Sequence, residues 1–115
     1  MKDIAFSIMH KEEVCADITV ADNTVKAVWH ENSYPLPILG NGAFPLTPGH
    51  VMAYLKERCF DEHRPDREEL LAGLGLSAYD PVAITKKTHG RMHMDFFWIR
   101  YKGENLTWNN VKDRI

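Results

Sequence analysis

The chain lacks the features that most quickly assign a protein to a class. Only two of its 115 residues are cysteine, and Cys15 and Cys59 lie too far apart to indicate a disulfide-rich secreted domain. No apolar run approaches the roughly 20 residues that a membrane-spanning helix needs. No charged leader with an apolar core and a cleavage site opens the sequence. We therefore expect a cytoplasmic protein that keeps both thiols reduced and has no membrane partner.

A strong charge of one sign is also missing. Fourteen Lys and Arg residues face sixteen Asp and Glu residues, for a formal net charge of -2. Such a chain has no global attraction to nucleic acid or anionic lipid, so nucleic-acid binding would have to be local. The length is close to that of a common single domain, and the 44% hydrophobic content suffices for one core. We predict a single domain over residues 1–115.

The motifs of catalysis and phosphate binding are absent. The sequence contains neither G-x-S-x-G nor the glycine-rich patterns G-x-x-x-x-G-K-[ST] and G-x-G-x-x-G. One zinc hypothesis stays open, because two pairs of suitable ligands are each spaced by four residues. Gly90 lies between the two histidines of the second pair and disfavours the helical geometry that would bring them together. Surface histidines and a half-buried cysteine, without a metal ion, are the commoner arrangement. We expect no catalysis, no cofactor and no metal; the candidate ligands would be Cys59, His63, His89 and His93.

The first thirty residues alternate between apolar and polar positions. Three alternating runs begin at Ile4, Val14 and Val25, and the polar breaks between them are short enough for hairpin turns. We predict a three-stranded antiparallel meander with one buried face. Residues 31–47 are rich in proline and glycine, which predicts a surface crossing or a short edge segment.

Two helices follow with clear boundary signals. Thr47 before Pro48 is typical of an N-cap followed by proline at the first helical position. Asp66 precedes the apolar residues of the second predicted helix and occupies the position of an N-cap. Gly75 followed by Leu76 predicts a Schellman ending for that helix.

The last third predicts two strands. We expect a strand to begin at Asp80 and to run through Thr85, followed by a polar connection over Lys86 to His93. A return strand is then predicted from Met94 to Tyr101, with aromatic residues on both of its faces. Thr107 should cap a short final helix. The predicted fold is α+β: an antiparallel sheet, formed by the N-terminal meander plus a C-terminal strand pair, with two main helices packed on it.

Basic residues concentrate in the later half. Lys86 to Lys102 carries a formal charge of +4, five cations less Asp95, and three further arginines lie around the helix junction. Arginine and tryptophan are enriched at protein interfaces. The alternative is a solvated rim of little energetic value. Its neutralising acids would be Asp61, Glu62, Asp66 and Asp95.

Motifs spread over most of the chain suggest a family. A strand ends in Met9–Lys11, an Arg-x-x-Arg helix start ends in a Leu-Gly turn over 64–75, and Lys-x-x-Gly at 87–90 precedes an aromatic strand and Leu-Thr-Trp at 106–108. The sequence resembles the N-terminal accessory module of bacterial HipA-like serine/threonine kinases from toxin–antitoxin loci. Asn105 replaces the acidic residue usual before Leu-Thr-Trp, and the kinase core is not present in the sequence.

The resemblance implies a protein partner. We expect a non-enzymatic, antitoxin-like or regulatory module that binds a HipA-like kinase in trans. The competing hypothesis is a phage or mobile-element inhibitor, of the anti-CRISPR kind, that blocks a nucleic-acid enzyme. A direct nucleic-acid binder comes third and would lose affinity steeply with salt. The residues predicted to bind the partner are Arg58, Arg64, Arg67, His89, Arg91 and Trp98.

Overall fold

A computed structural model describes residues 1–30 and 34–114 of the chain. Their strands form one four-stranded antiparallel sheet in the order β3-β2-β1-β4. The sheet confirms the α+β class and the N-terminal meander. The strands are β1 (Ile4–His10), β2 (Glu13–Ala21), β3 (Thr24–Trp29) and β4 (Phe97–Tyr101).

The meander follows from alternation and from a tight turn. Asp22 and Asn23 link β2 to β3 with φ values of 50° and 58°, the left-handed geometry that a two-residue hairpin turn requires and that Asp and Asn tolerate. One face of the sheet carries Phe6 and Ile8 of β1, which lie opposite Tyr101 and Ile99 of β4. All four side chains are buried in the main core.

Two helices form where the sequence predicts them, and the first of them packs on this face of the sheet. The first, α1 (Pro48–Glu57), begins after Thr47, whose Oγ1 accepts from the His50 N–H at 3.4 Å while His50 Nδ1 accepts from the Thr47 N–H at 3.0 Å. Its Val51 and Leu55 are fully buried. The predicted N-cap and proline start are confirmed.

The second helix, α2 (Arg67–Gly73), ends as predicted and begins differently. Gly75 adopts a φ of +74°, and the Leu76 N–H donates to the Leu71 carbonyl at 2.9 Å, which is the Schellman hydrogen bond. Asp66 stands at the N-cap, but its carboxylate makes no bond to the helix. It accepts instead from the Arg64 guanidinium at 2.9 Å, because that donor is only two residues away.

The predicted strand after Asp80 is wrong. Residues Pro81–Thr88 form a third helix, α3, so the C-terminal half contributes one strand rather than a pair. The Asp80 side chain accepts from the N–H groups of Val82 and Ala83 at 3.0 and 3.5 Å, and Pro81 occupies the first helical turn. The capping group and the proline outweigh the strand preference of the β-branched residues that follow.

The remaining predictions for the later chain need smaller corrections. The polar connection begins after Thr88 rather than at Lys86, and β4 begins at Phe97 rather than Met94. Residues 91–96 between α3 and β4 are called the 91–96 loop below. The short final helix α4 (Trp108–Val111) follows Thr107 as predicted. It lies on the opposite face of the sheet and forms a second cluster of Met9, Trp98 and Val111.

The proline- and glycine-rich crossing contains a short 3-10 helix at Pro37–Gly42. Its Leu39 is fully buried against the main core, so the crossing closes one side of the fold. Residues 31–33, where the predicted crossing begins, lie outside the described residues. No helix in the described part of the chain is long and apolar enough to cross a membrane.

Candidate functional site

Arg58 lies inside the protein. It follows α1 directly and is 7% exposed. Its Nη1 and Nη2 each donate to a carboxylate oxygen of Asp95 at 2.8 Å, and its Nε donates to the Gly90 carbonyl at 2.8 Å. Gly90 has a φ of +64°, and a Cβ at this position would lie only 3.2 Å from the Arg58 Cβ. Glycine is therefore required for the close approach of the turn to the arginine.

Arg91 is equally buried, at 7% exposed, but binds only carbonyl groups. Its Nη1 donates to the carbonyls of Asp95 at 2.9 Å and Phe97 at 3.2 Å, and its Nη2 donates to the Lys112 carbonyl at 3.3 Å. It therefore ties the 91–96 loop to β4 and to the end of α4. The Arg91 Nε is buried and has no hydrogen-bond partner within residues 1–30 and 34–114.

Arg58, Arg91 and Asp95 together form what we call the arginine cluster. Burial by itself would raise the pKa of Asp95, but the hydrogen bonds and charge of Arg58 hold that pKa below its ordinary value. Burial, with a smaller contribution from Arg58, lowers the pKa of Arg91. The Asp95 carboxylate thus binds one of the two buried cations, Arg58, and the cluster carries a formal charge of +1 when all three groups are ionised.

Two further residues predicted to bind a partner are also interior. His89 is 5% exposed, and its Nε2 lies 3.0 Å from Glu104 Oε2. Trp98 is 0% exposed, and its Nε1–H donates to the Lys11 carbonyl at 2.7 Å. The predicted surface exposure of Arg58, His89, Arg91 and Trp98 is therefore wrong, because each side chain satisfies its polar atoms mainly against neighbouring segments of its own chain.

Arg64 and Arg67 are the two predicted binding residues that reach solvent. The Arg64 side chain is 51% exposed and pairs with Asp66, and the Arg67 side chain is 37% exposed and pairs with Glu68 at 3.2 Å. The aromatic ring beside Arg67 is that of the half-buried Tyr79, whose centroid lies 6.0 Å from the guanidinium carbon, and the predicted Trp98 is buried. Exposed pairs of this type contribute little free energy, so they match the solvated-rim alternative.

The most exposed apolar side chains near the arginine cluster are not among the residues predicted to bind the partner. Met94 is 94% exposed and Phe96 is 49% exposed, and both flank Asp95 in the 91–96 loop. We call these two residues the apolar tip. The strand predicted over Met94 to Tyr101 assigned alternate side chains to buried faces, so it did not distinguish Met94 and Phe96 from the buried residues.

The backbone around the apolar tip is fixed on both sides. Asp95 Oδ1 accepts from the Phe97 N–H at 3.1 Å, and the Phe96 carbonyl accepts from the Lys11 N–H at 3.1 Å. The Lys11 Nζ lies 4.6 Å from the centroid of the Phe96 ring, and the Trp108 ring packs edge-on against it at 6.0 Å. The result is a loop held by backbone hydrogen bonds on both sides, with an apolar, cation-flanked tip that suits recognition of another molecule.

The two cysteine thiols are poorly suited to nucleophilic chemistry. Burial raises the pKa of the Cys15 thiol to about 11 and that of the Cys59 thiol to about 12, so both are protonated at neutral pH and poor nucleophiles. The Cys59 Sγ–H donates to the Leu55 carbonyl at 3.2 Å. No group of three or more His, Cys, Asp or Glu residues in the described ranges could hold a metal ion, and this includes the zinc set considered above.

Comparison of the chain with protein-family models, with curated proteins and with solved structures finds no match. The resemblance to the HipA-like accessory module thus depends on the sequence motifs. Two motif positions lie beside the 91–96 loop: the Gly90 carbonyl accepts a hydrogen bond from Arg58, and the Trp108 ring packs on Phe96. Residues of the motif that suggested a family therefore make contacts that support the 91–96 loop and its apolar tip.

Proposed function

We propose that this chain is a non-enzymatic protein-binding module that docks on a HipA-like kinase through the apolar tip. The observation that carries the proposal is the exposure of Met94 and Phe96 on a loop fixed by the arginine cluster. Methionine and aromatic residues are enriched in the cores of protein interfaces. A loop already held in one conformation loses less entropy on binding than a flexible one.

In this proposal the buried arginines have a different role from the one that the sequence predicts. Arg58 and Arg91 are positioning residues: they hold the 91–96 loop and do not contact the partner. The contact surface consists of Met94 and Phe96, flanked by Lys11 and Trp108. Its apolar centre favours a protein partner over nucleic acid, whose binding would depend on phosphate contacts and fall steeply with salt.

The test is co-elution of the chain with a HipA-like kinase from the same host on size-exclusion chromatography, together with kinase autophosphorylation. We expect the wild-type chain to co-elute and to change the phosphorylation rate. The double variant Met94→Ser, Phe96→Ser should remain folded and lose both effects. Absence of co-elution and of any change in phosphorylation with the wild-type chain would contradict the proposal.

The matched control is Val28→Ser. Val28 is 60% exposed and lies on β3, at the opposite edge of the sheet from β4. The substitution removes a comparable exposed apolar side chain and should leave kinase binding unchanged. Loss of binding in this variant would show that general surface hydrophobicity, and not the apolar tip, is responsible. Retention of nucleic acid with a steep salt dependence would instead favour the nucleic-acid hypothesis.

A further inference from the structure

A second feature of the fold adjoins the start of the 91–96 loop, whose Arg91 and His93 line it. A cleft of about 490 Å³ opens between α2 and α3, within the size range of small-molecule sites. Ile84 of α3 forms its fully buried floor. Around it, Phe60, Leu70 of α2 and Leu74, which directly follows α2, are half-buried. We call this the α2–α3 cleft. The polar residues that line it include Arg58, Arg64, Glu69, Thr88, Arg91 and His93.

The charge of the cleft is opposite to that of the whole chain. Three arginines and a single carboxylate, Glu69, line it, for a formal charge of +2 with His93 neutral, whereas the chain carries -2. Arg58 and Arg64 have carboxylate partners outside the lining. Arg91 is more than nine-tenths buried, lines the cleft, and has no carboxylate partner and an unbonded Nε within the described ranges. Its charge is thus the least compensated in the cleft.

We propose that the α2–α3 cleft binds an amphipathic carboxylate, with its apolar chain or ring over Ile84, Leu70 and Leu74 and its carboxylate on the arginine side. An inorganic anion would leave the apolar walls uncovered, and a neutral apolar ligand would leave Arg91 without a carboxylate partner. A singly charged carboxylate also costs less to desolvate in a half-enclosed apolar cleft than a doubly charged phosphate. Guanidinium groups match carboxylates in geometry and charge.

Decanoate, 1-decanol and decyltrimethylammonium are suitable probes, because they share one alkyl chain and differ in charge. Each is titrated below its micelle concentration into the isotopically labelled full chain, and backbone amide shifts are recorded by NMR. We expect saturable shifts at Leu70, Leu74 and Ile84 with decanoate. Decanol should bind about tenfold more weakly, because a charged hydrogen bond is lost, and the cation should bind more weakly still.

Gly73 offers a variant that blocks the cleft without disturbing the fold. It lines the cleft, lies at the end of α2, and a Cβ there would meet no atom within 4 Å. Gly73→Phe should place a ring in the cleft and abolish the decanoate shifts. Ala72→Phe adds the same ring at the neighbouring exposed position, which does not line the cleft, and should leave binding unchanged. Arg64→Gln should weaken decanoate several-fold.

The inference is overturned if decanoate causes no saturable shifts in the cleft, if decanol binds as tightly as decanoate, or if Gly73→Phe has no more effect than Ala72→Phe. An unchanged affinity in Arg64→Gln, combined with equal binding of all three probes, would reduce the cleft to an unspecific apolar surface and so also overturn it. No protein partner enters the experiment. Its result is therefore independent of the kinase-binding test of the apolar tip.

Discussion

Removal of the Asp95 charge is the sharpest perturbation of the interior. Asp95→Asn keeps the shape of the side chain but leaves Arg58, which is 7% exposed, without its carboxylate partner. Loss of one partner from a buried ion pair costs about 3–5 kcal/mol. Because the Asp95 side chain is 32% exposed, water compensates in part, and we expect a loss of about 3 kcal/mol in the free energy of unfolding.

Urea denaturation at pH 7 measures this loss. With a dependence of about 1.5–2 kcal/mol per molar urea, the midpoint should fall by about 1.5–2 M. The matched control is Asp66→Asn, which removes the charge from the exposed pair with Arg64 and should leave the midpoint unchanged. If Asp95→Asn lowers the midpoint no more than Asp66→Asn does, the arginine cluster does not hold the loop and the reasoning is refuted.

The pH dependence of the same variant has a defined sign. The folded-state pKa of Asp95 is depressed, so its contribution is complete above the unfolded value of about 3.9 and is lost as the pH falls through the folded value. The difference in unfolding free energy between the wild type and Asp95→Asn should therefore stay constant from pH 7 to about 5 and narrow below about pH 4. A difference that widens on acidification would contradict this assignment.

Three further predictions concern stability and are read from urea or thermal unfolding. Asp80→Ala should cost about 1 kcal/mol by removing the cap of α3, whereas Asp80→Asn should be nearly neutral; equal losses would argue against the cap. Gly73→Ala should raise the free energy of unfolding by about 0.5–1 kcal/mol, since Gly73 is helical and an added Cβ would meet open space. Gly75→Ala should lower it by about 1 kcal/mol, because alanine is strained at a φ of +74°. A change of the same sign in both variants would contradict the assignment of the helix end. Trp98→Phe should cost about 2 kcal/mol through a lost hydrogen bond and a cavity; unchanged stability would mean that Trp98 is not the interior residue described here.

Local signals with one dominant physical cause could be predicted from the sequence. Alternation placed the three strands of the meander, and the Schellman ending at Gly75 followed from a glycine that can adopt positive φ. The Asp80 region shows the limit. Thr47-Pro48 and Asp80-Pro81 carry the same start signal, but the β-branched residues after Pro81 favoured a strand. In the structure the Asp80 cap and Pro81, together with packing of α3 against α1 and β4, outweigh that preference.

The candidate site was harder to predict because burial of charged groups depends on the tertiary structure. Arginines are usually exposed, and nothing local to Arg58 or Arg91 indicates that carbonyl groups and Asp95 enclose them. Asp95 lies 37 residues from Arg58, so the pair exists only once α1, the 91–96 loop and β4 have packed. The exposure of Met94 and Phe96 depends on the same packing, because it results from the late start of β4.

The affinity of the chain for a HipA-like kinase, measured by isothermal titration calorimetry, tests the central claim most directly. Two double variants are compared with the wild type: Met94→Ser, Phe96→Ser at the apolar tip, and Arg64→Ala, Arg67→Ala at the exposed arginines. Truncation of an interface hot spot costs at least about 2 kcal/mol, so the tip variant should bind about 30-fold or more weakly, while the arginine variant should bind as the wild type does. Unchanged affinity in the tip variant, or loss of affinity in the arginine variant alone, would contradict the account.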